Sequence, residues 1–288
     1  DAAAHPLRST LLELFADRYF PVDAPKTKPL DRKVADEHAA MIAGHYISSR
    51  RVETTFMTLL TLASEVKVFP NDDGTISTSL MLSPTGEPLR WREIEPFLWQ
   101  QVHGDEILIG EVKDGKVWRF SIGAYAPIML FERPAPLKAG TWLLPAFATG
   151  LAVLLLTALA WPISALARRY FRSPSRLPTV DQKALRTTRI VALATVVTWA
   201  GWVGLMAAML NDFRLLSPKT DALLIALQVV GAVVFLLGTF MGLRAILTTL
   251  RGSRGTLAKL WAVLLAVALL VSLWVAIAFH VLAFGANY

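Results

Sequence analysis

Ser64-Glu65-Val66-Lys67 matches a spacing used in covalent catalysis. A serine with a lysine three residues on can serve as nucleophile and base when both sit on one turn of a helix. That chemistry also requires a second base and a supporting strand motif. The sequence contains no Tyr-x-Asn, no Lys-Thr-Gly and no His-x-Gly. Ser64 stands where helical periodicity gives way to strand alternation, so it is read as structural. The five histidines, His5, His38, His45, His103 and His280, are scattered without metal-ligand spacing. His45, between Gly44 and Tyr46, reads as a barrel residue. Asp72 and Asp73 read as turn residues. There is no phosphate loop and no dinucleotide fingerprint. There is no cysteine, which removes disulfides, thiolate nucleophiles and cysteine metal sites. The expectation is a stretch with no catalytic residue, no metal ligand and no cofactor site.

The elements that could position any chemistry fall into two halves. Residues 1–141 carry 16 Lys+Arg and 19 Asp+Glu, whereas residues 142–288 carry 13 and 3. The net charge of +7 therefore belongs to the second half, which is also where the apolar residues concentrate. No basic face interleaved with aromatics exists to bind nucleic acid. A helix needs roughly 20 apolar residues to cross a bilayer. Four stretches qualify, near 142–167, 190–210, 222–243 and 260–284, and none contains Asp, Glu, Lys or Arg. The lipid bilayer is thus the first expected partner. Eleven of the 13 basic residues of this half lie in residues 168–189 and 244–259, the first and third connections. The positive-inside rule puts those two segments in the cytoplasm, with residues 1–141 and the tail outside.

Within the spans, Gly238 and Gly242 form a G-x-x-x-G pair, which permits close helix packing within the bundle or self-association. Gln228 is a lone polar residue expected to bond a neighbouring helix. His280 lies near the outer end of the fourth span. Pro145 and Pro162 fall near the ends of the first. No chain of acids or histidines threads the spans as a pump requires, so the bundle reads as an anchor or a packing partner.

In the first half, residues 7–20 place Leu7, Leu11, Leu14, Phe15 and Tyr19 on one helical stripe. A Pro- and Lys-bearing linker with a short helix occupies residues 21–43. Residues 44–135 read as a β-rich domain, in which 53–63 fits helix or strand and Met57, Leu59 and Leu60 favour helix. Strands are expected over 46–49, 66–70, 76–82, 89–94, 97–102, 106–112, 117–122 and 128–132. Asn71-Asp72-Asp73-Gly74 and Lys113-Asp114-Gly115-Lys116 are hairpin turns. The fold class is α+β, a small antiparallel barrel or sandwich followed by a four-helix transmembrane bundle. Trp91, Trp99 and Trp118 fall in expected strands, where core packing is favoured over an exposed binding face.

The phrases LFADRYFP, AGHYISSRRVETTF, NDDGTIS and GEPLRWREIEPFLWQQV, together with the four spans, resemble the region downstream of the catalytic domain in membrane-anchored serine hydrolases of the β-lactamase-related, penicillin-binding-protein-like family. In such proteins a terminal helix closes the catalytic domain, a small β-domain follows and transmembrane helices end the chain. The resemblance implies that residues 7–20 correspond to that helix and that an upstream catalytic domain is a partner. The family's nucleophile, base and Lys-Thr-Gly strand are absent here, so no catalytic residue carries over. An opening Asp1 without a signal-peptide pattern agrees with a C-terminal portion of a longer chain. The resulting expectation is the anchoring and accessory portion of an extracytoplasmic serine hydrolase in a bacterial inner membrane. The alternative is a complete receptor or accessory subunit whose outer domain binds a ligand or partner.

Overall fold

The computed structural model describes residues 30–83, 85–126, 128–172, 178–252 and 254–285, with Leu11, Leu14, Phe15, Arg18, Tyr19 and Phe20 of the N-terminal segment. Most of the helix expected over 7–20, and most of the linker after it, lie outside the described residues. Leu11, Leu14, Phe15, Arg18 and Tyr19 are helical.

Helix α1 spans Arg32–Ile42 and starts where the Asp31 side chain accepts from the Lys33 N–H. Eight strands then form a closed antiparallel barrel: β1 Gly44–Ser48, β2 Val66–Pro70, β3 Ile76–Leu82, β4 Pro88–Glu95, β5 Leu98–Gln101, β6 Ile107–Lys113, β7 Lys116–Ile122 and β8 Phe131–Glu132. Each strand pairs with the next in sequence, and β8 closes on β1 through Ile47–Glu132 and Ser48–Phe131. Closure settles barrel over sandwich, and it leaves no open edge for another strand to pair with. Both anticipated hairpin turns are present. Gly74 and Gly115 take φ of +77° and +73°, which a side chain would strain.

The barrel is filled by large inward side chains, among them Tyr46, Ile76, Trp91, Trp99, Phe120 and Phe131. Ala39 and Ile42 of α1 join the same core, so the helix works as a plug. Tyr46 fixes it: its hydroxyl lies 2.7 Å from the Ile42 carbonyl and 3.1 Å from that of Val117. Arg133 donates to the carbonyls of Met41, Ala43 and Val117.

The segment expected as a helix over 53–63 is instead a 3₁₀ helix, Phe56–Leu62. Thr55 caps it, and Thr58 and Thr61 hydroxyls bond carbonyls three residues back, which favours the tighter turn.

The second half holds four helices long and apolar enough to cross a membrane. They are α2 Gly140–Tyr170; α3 Thr179–Asn211; a third span built from α4 Pro218–Ala232, a π-helical segment Val233–Gly238 and α5 Thr239–Arg251; and α6 Thr256–Ala278. This is the architecture of a multi-pass membrane protein. Lys183, Arg186 and Arg189 lie on α3 itself, so the second helix extends well past its uncharged stretch.

Several polar groups in the bundle core are paired, whereas Trp202 Nε1 is buried without a partner. Trp199 Nε1 donates to Ser272 Oγ and Trp261 Nε1 to Thr157 Oγ1. Gln228 bonds the segment after α6, donating to the carbonyls of Ala283 and Gly285 and accepting from the Gly285 N–H. The Gly238/Gly242 pair packs within the chain. A Cβ at Gly242 would come within 2.6 Å of Leu269, and one at Gly238 within 3.6 Å of Val191. Phe235, in the π segment, packs on Trp199 with ring centroids 4.9 Å apart.

Candidate functional site

Two clusters of titratable groups stand out, one beneath the plug and one where the barrel meets the bundle. Beneath the plug lies Glu93, on β4. The period-2 alternation of Trp91 and Glu93 turns both inward. Glu93 Oε1 accepts from the Phe97 N–H at 2.7 Å and lies 2.7 Å from His38 Nδ1 on α1. The imidazole also packs on the Phe97 ring, with centroids 4.1 Å apart. Phe97 takes φ of +60°, a conformation that turns its N–H onto the carboxylate. Glu93 Oε2 is buried with no hydrogen-bond partner. Burial pushes the Glu93 carboxyl up from the usual range, against the contrary pull of Phe97 and His38. The same burial pushes the Tyr46 phenol up to about 12, although the Arg133 guanidinium works the other way.

At the junction, Glu65 reaches from the barrel to the start of α2. Its Oε1 accepts from the Gly140 N–H at 2.5 Å, and its Oε2 lies 3.2 Å from His45 Nδ1. A carboxylate at a helix N-terminus satisfies a free N–H and meets the positive end of the helix dipole. Leu137, just before α2, accepts from Trp274 Nε1 at 3.1 Å. The 3₁₀ helix supplies Phe56 and Leu62 to the same hydrophobic cluster as Leu143, Trp202 and Phe279 of the bundle. Phe56 and Trp202 have ring centroids 5.5 Å apart. Beside this contact, Arg51 bridges Glu53 and Glu132, each at 2.7 Å. Arg51 and Glu53, with Lys138, border a groove of about 260 Å³.

Ser64 and Lys67 do not share a helical turn. Ser64 lies in the exposed coil before β2 and Lys67 on β2, with its ammonium over the Phe69 ring. His5 lies outside the described residues, and His103 and His280 sit apart at positive φ. Among the described residues no three of His, Asp or Glu converge as a metal site. Trp91 and Trp99 are core residues, while Trp118 lies half-buried under Arg119 and Lys113. Sequence reasoning missed Glu65 and Glu93. The inward parity with Trp91 was the available signal for Glu93. Nothing local signals that Glu65 meets Gly140, 75 residues on.

The two clusters hold and orient. They contain a protonatable carboxyl and a helix cap, without a nucleophile set against a base. The fold defines a plugged β-barrel set on a four-helix membrane bundle. Comparison with family models, curated proteins and solved structures gives no match.

Proposed function

We propose that this chain is a membrane-anchoring module whose bundle holds the barrel in a fixed pose at the outer surface of a bacterial cytoplasmic membrane. The observation that carries this reading is the shared core, in which Phe56 and Leu62 of the barrel half pack with Leu143 and Trp202 of the bundle. A flexible tether needs no such contact; a rigid platform does. The orientation rests on the concentration of basic residues at the end of the bundle opposite the barrel.

The cargo of the platform is an upstream serine hydrolase domain, in keeping with the family resemblance. The exposed apolar stripe of Leu11, Leu14, Phe15 and Tyr19, each more than half exposed, supports it. Such a stripe is the face a helix presents to a covering domain. An active-site serine probe tests this. Membranes expressing residues 1–288 alone should show no labelled band at that mass. The full natural gene product should label, and its label should stay in the membrane fraction. Labelling of residues 1–288 would overturn the non-catalytic reading, and an unlabelled full product would remove the hydrolase.

A further inference from the structure

We propose that the groove between α3 and α5 at the basic end of the bundle binds the phosphate of an anionic phospholipid. The groove has a volume of about 310 Å³, within the range of small-ligand sites, about 300–1,000 Å³. Lys183 of α3 and Arg244 of α5 line it from their two helices, together with the hydroxyl-bearing Thr187 and Thr248. Among the described residues neither cation forms an ion pair. Two cations from separate helices, each without an acidic partner among the described residues, are matched by a phosphodiester.

The depth fits a lipid headgroup. Arg244 stands 23 residues beyond Asp221 on the third span, which is about 34 Å of helix. A hydrocarbon core is about 30 Å thick. With Asp221 at one face, Arg244 reaches the headgroup layer of the other. Phe240 and Met241, one turn deeper, are 65% and 52% exposed and line the same groove. They offer an apolar wall along which an acyl chain descends from the phosphate. A free phosphate ion would use the cations and leave that wall uncovered, so the combination selects a lipid. Basic pockets between membrane helices on the cytoplasmic side recognise anionic headgroups by this charge match. The inference rests on the four helices lying in a bilayer and is independent of what the barrel carries.

The test is native mass spectrometry of the full chain in detergent, titrated with phosphatidylglycerol, with phosphatidylcholine as the zwitterionic control. The wild type should retain phosphatidylglycerol about tenfold more strongly than phosphatidylcholine, and K183Q/R244Q should lose about that factor. The charge-preserving K183R/R244K should keep it. Arg172→Gln, which removes a charge at the same end but outside the groove, should also keep it. Equal retention of the two lipids overturns the proposal, as does equal loss in Arg172→Gln. Displacement of the lipid by glycerol 3-phosphate at matched concentration would identify a free-phosphate site and overturn the lipid assignment.

Discussion

Glu93 is the side chain with the most unusual surroundings, because one carboxyl oxygen is doubly engaged and the other has no partner. An ionised carboxylate with a bare buried oxygen is poorly solvated, which is why burial raises its pKa. The folded state therefore holds this proton more tightly than the unfolded chain, whose glutamates titrate near about 4.3. The group's contribution to stability is complete below that value and falls as pH rises through the elevated folded value. Glu93→Gln keeps an acceptor for the Phe97 N–H but cannot ionise. Thermal melts of the two proteins should converge at acid pH. Above the elevated value, Glu93→Gln should melt higher, as the wild type loses that contribution. Parallel melting curves from acid pH to neutrality would show that burial of Glu93 carries no such cost. The sequence exposes half of this arrangement. Arg90-Trp91-Arg92-Glu93 puts the acid on the tryptophan's face, yet His38 lies 55 residues away and is brought in only by docking of the plug.

Among the elements, the hairpins and spans were legible because their causes are local. Gly74 and Gly115 supply the positive φ of their turns, and uninterrupted apolar runs define the helices. The 3₁₀ helix was not legible as such. Its run of Phe56, Met57, Leu59, Leu60 and Leu62 carries an apolar signal without specifying its pitch, which the threonine back-bonds tip toward the tighter turn. The two-residue strand β8 was also overread, since much of the expected 128–132 strand is loop and closure needs only two pairings with β1. The 3₁₀ helix gives the sharpest element-level prediction. Phe56 is 1% exposed, against Trp202. Phe56→Ala should destabilise the junction by about 3–5 kcal/mol, the usual cost of truncating a packed phenylalanine. Melting temperature in detergent should fall, and protease should gain access between barrel and bundle. Unchanged melting and unchanged cleavage would mean that the Phe56–Trp202 contact does not hold the two halves together, leaving that role to the Glu65–Gly140 and Trp274–Leu137 bonds, Leu62 and the covalent link.

On the scale of the whole molecule, the division between an acidic first half and a basic, apolar second half was written in the charge count, because membrane insertion depends on composition over tens of residues. The shared core between the halves was not, since it depends on contacts between residues far apart in sequence, such as Phe56 and Trp202. The proposed orientation rests on the same charge distribution and predicts its own measurement. Moving the basic first and third connections outward is opposed by the membrane potential and by anionic lipid at the cytoplasmic face. Each basic residue near that surface contributes about 1 kcal/mol. The second connection offers no counterweight, because Asp212 and Asp221 balance Arg214 and Lys219. Reporter fusions after Arg172 and Gly252 should therefore read cytoplasmic, while fusions after Leu216 and Gly285 should read outside. An outer signal at Arg172 would reverse the protein and move the barrel into the cytoplasm. A cytoplasmic signal at both Leu216 and Gly285 would mean that the four helices do not all cross.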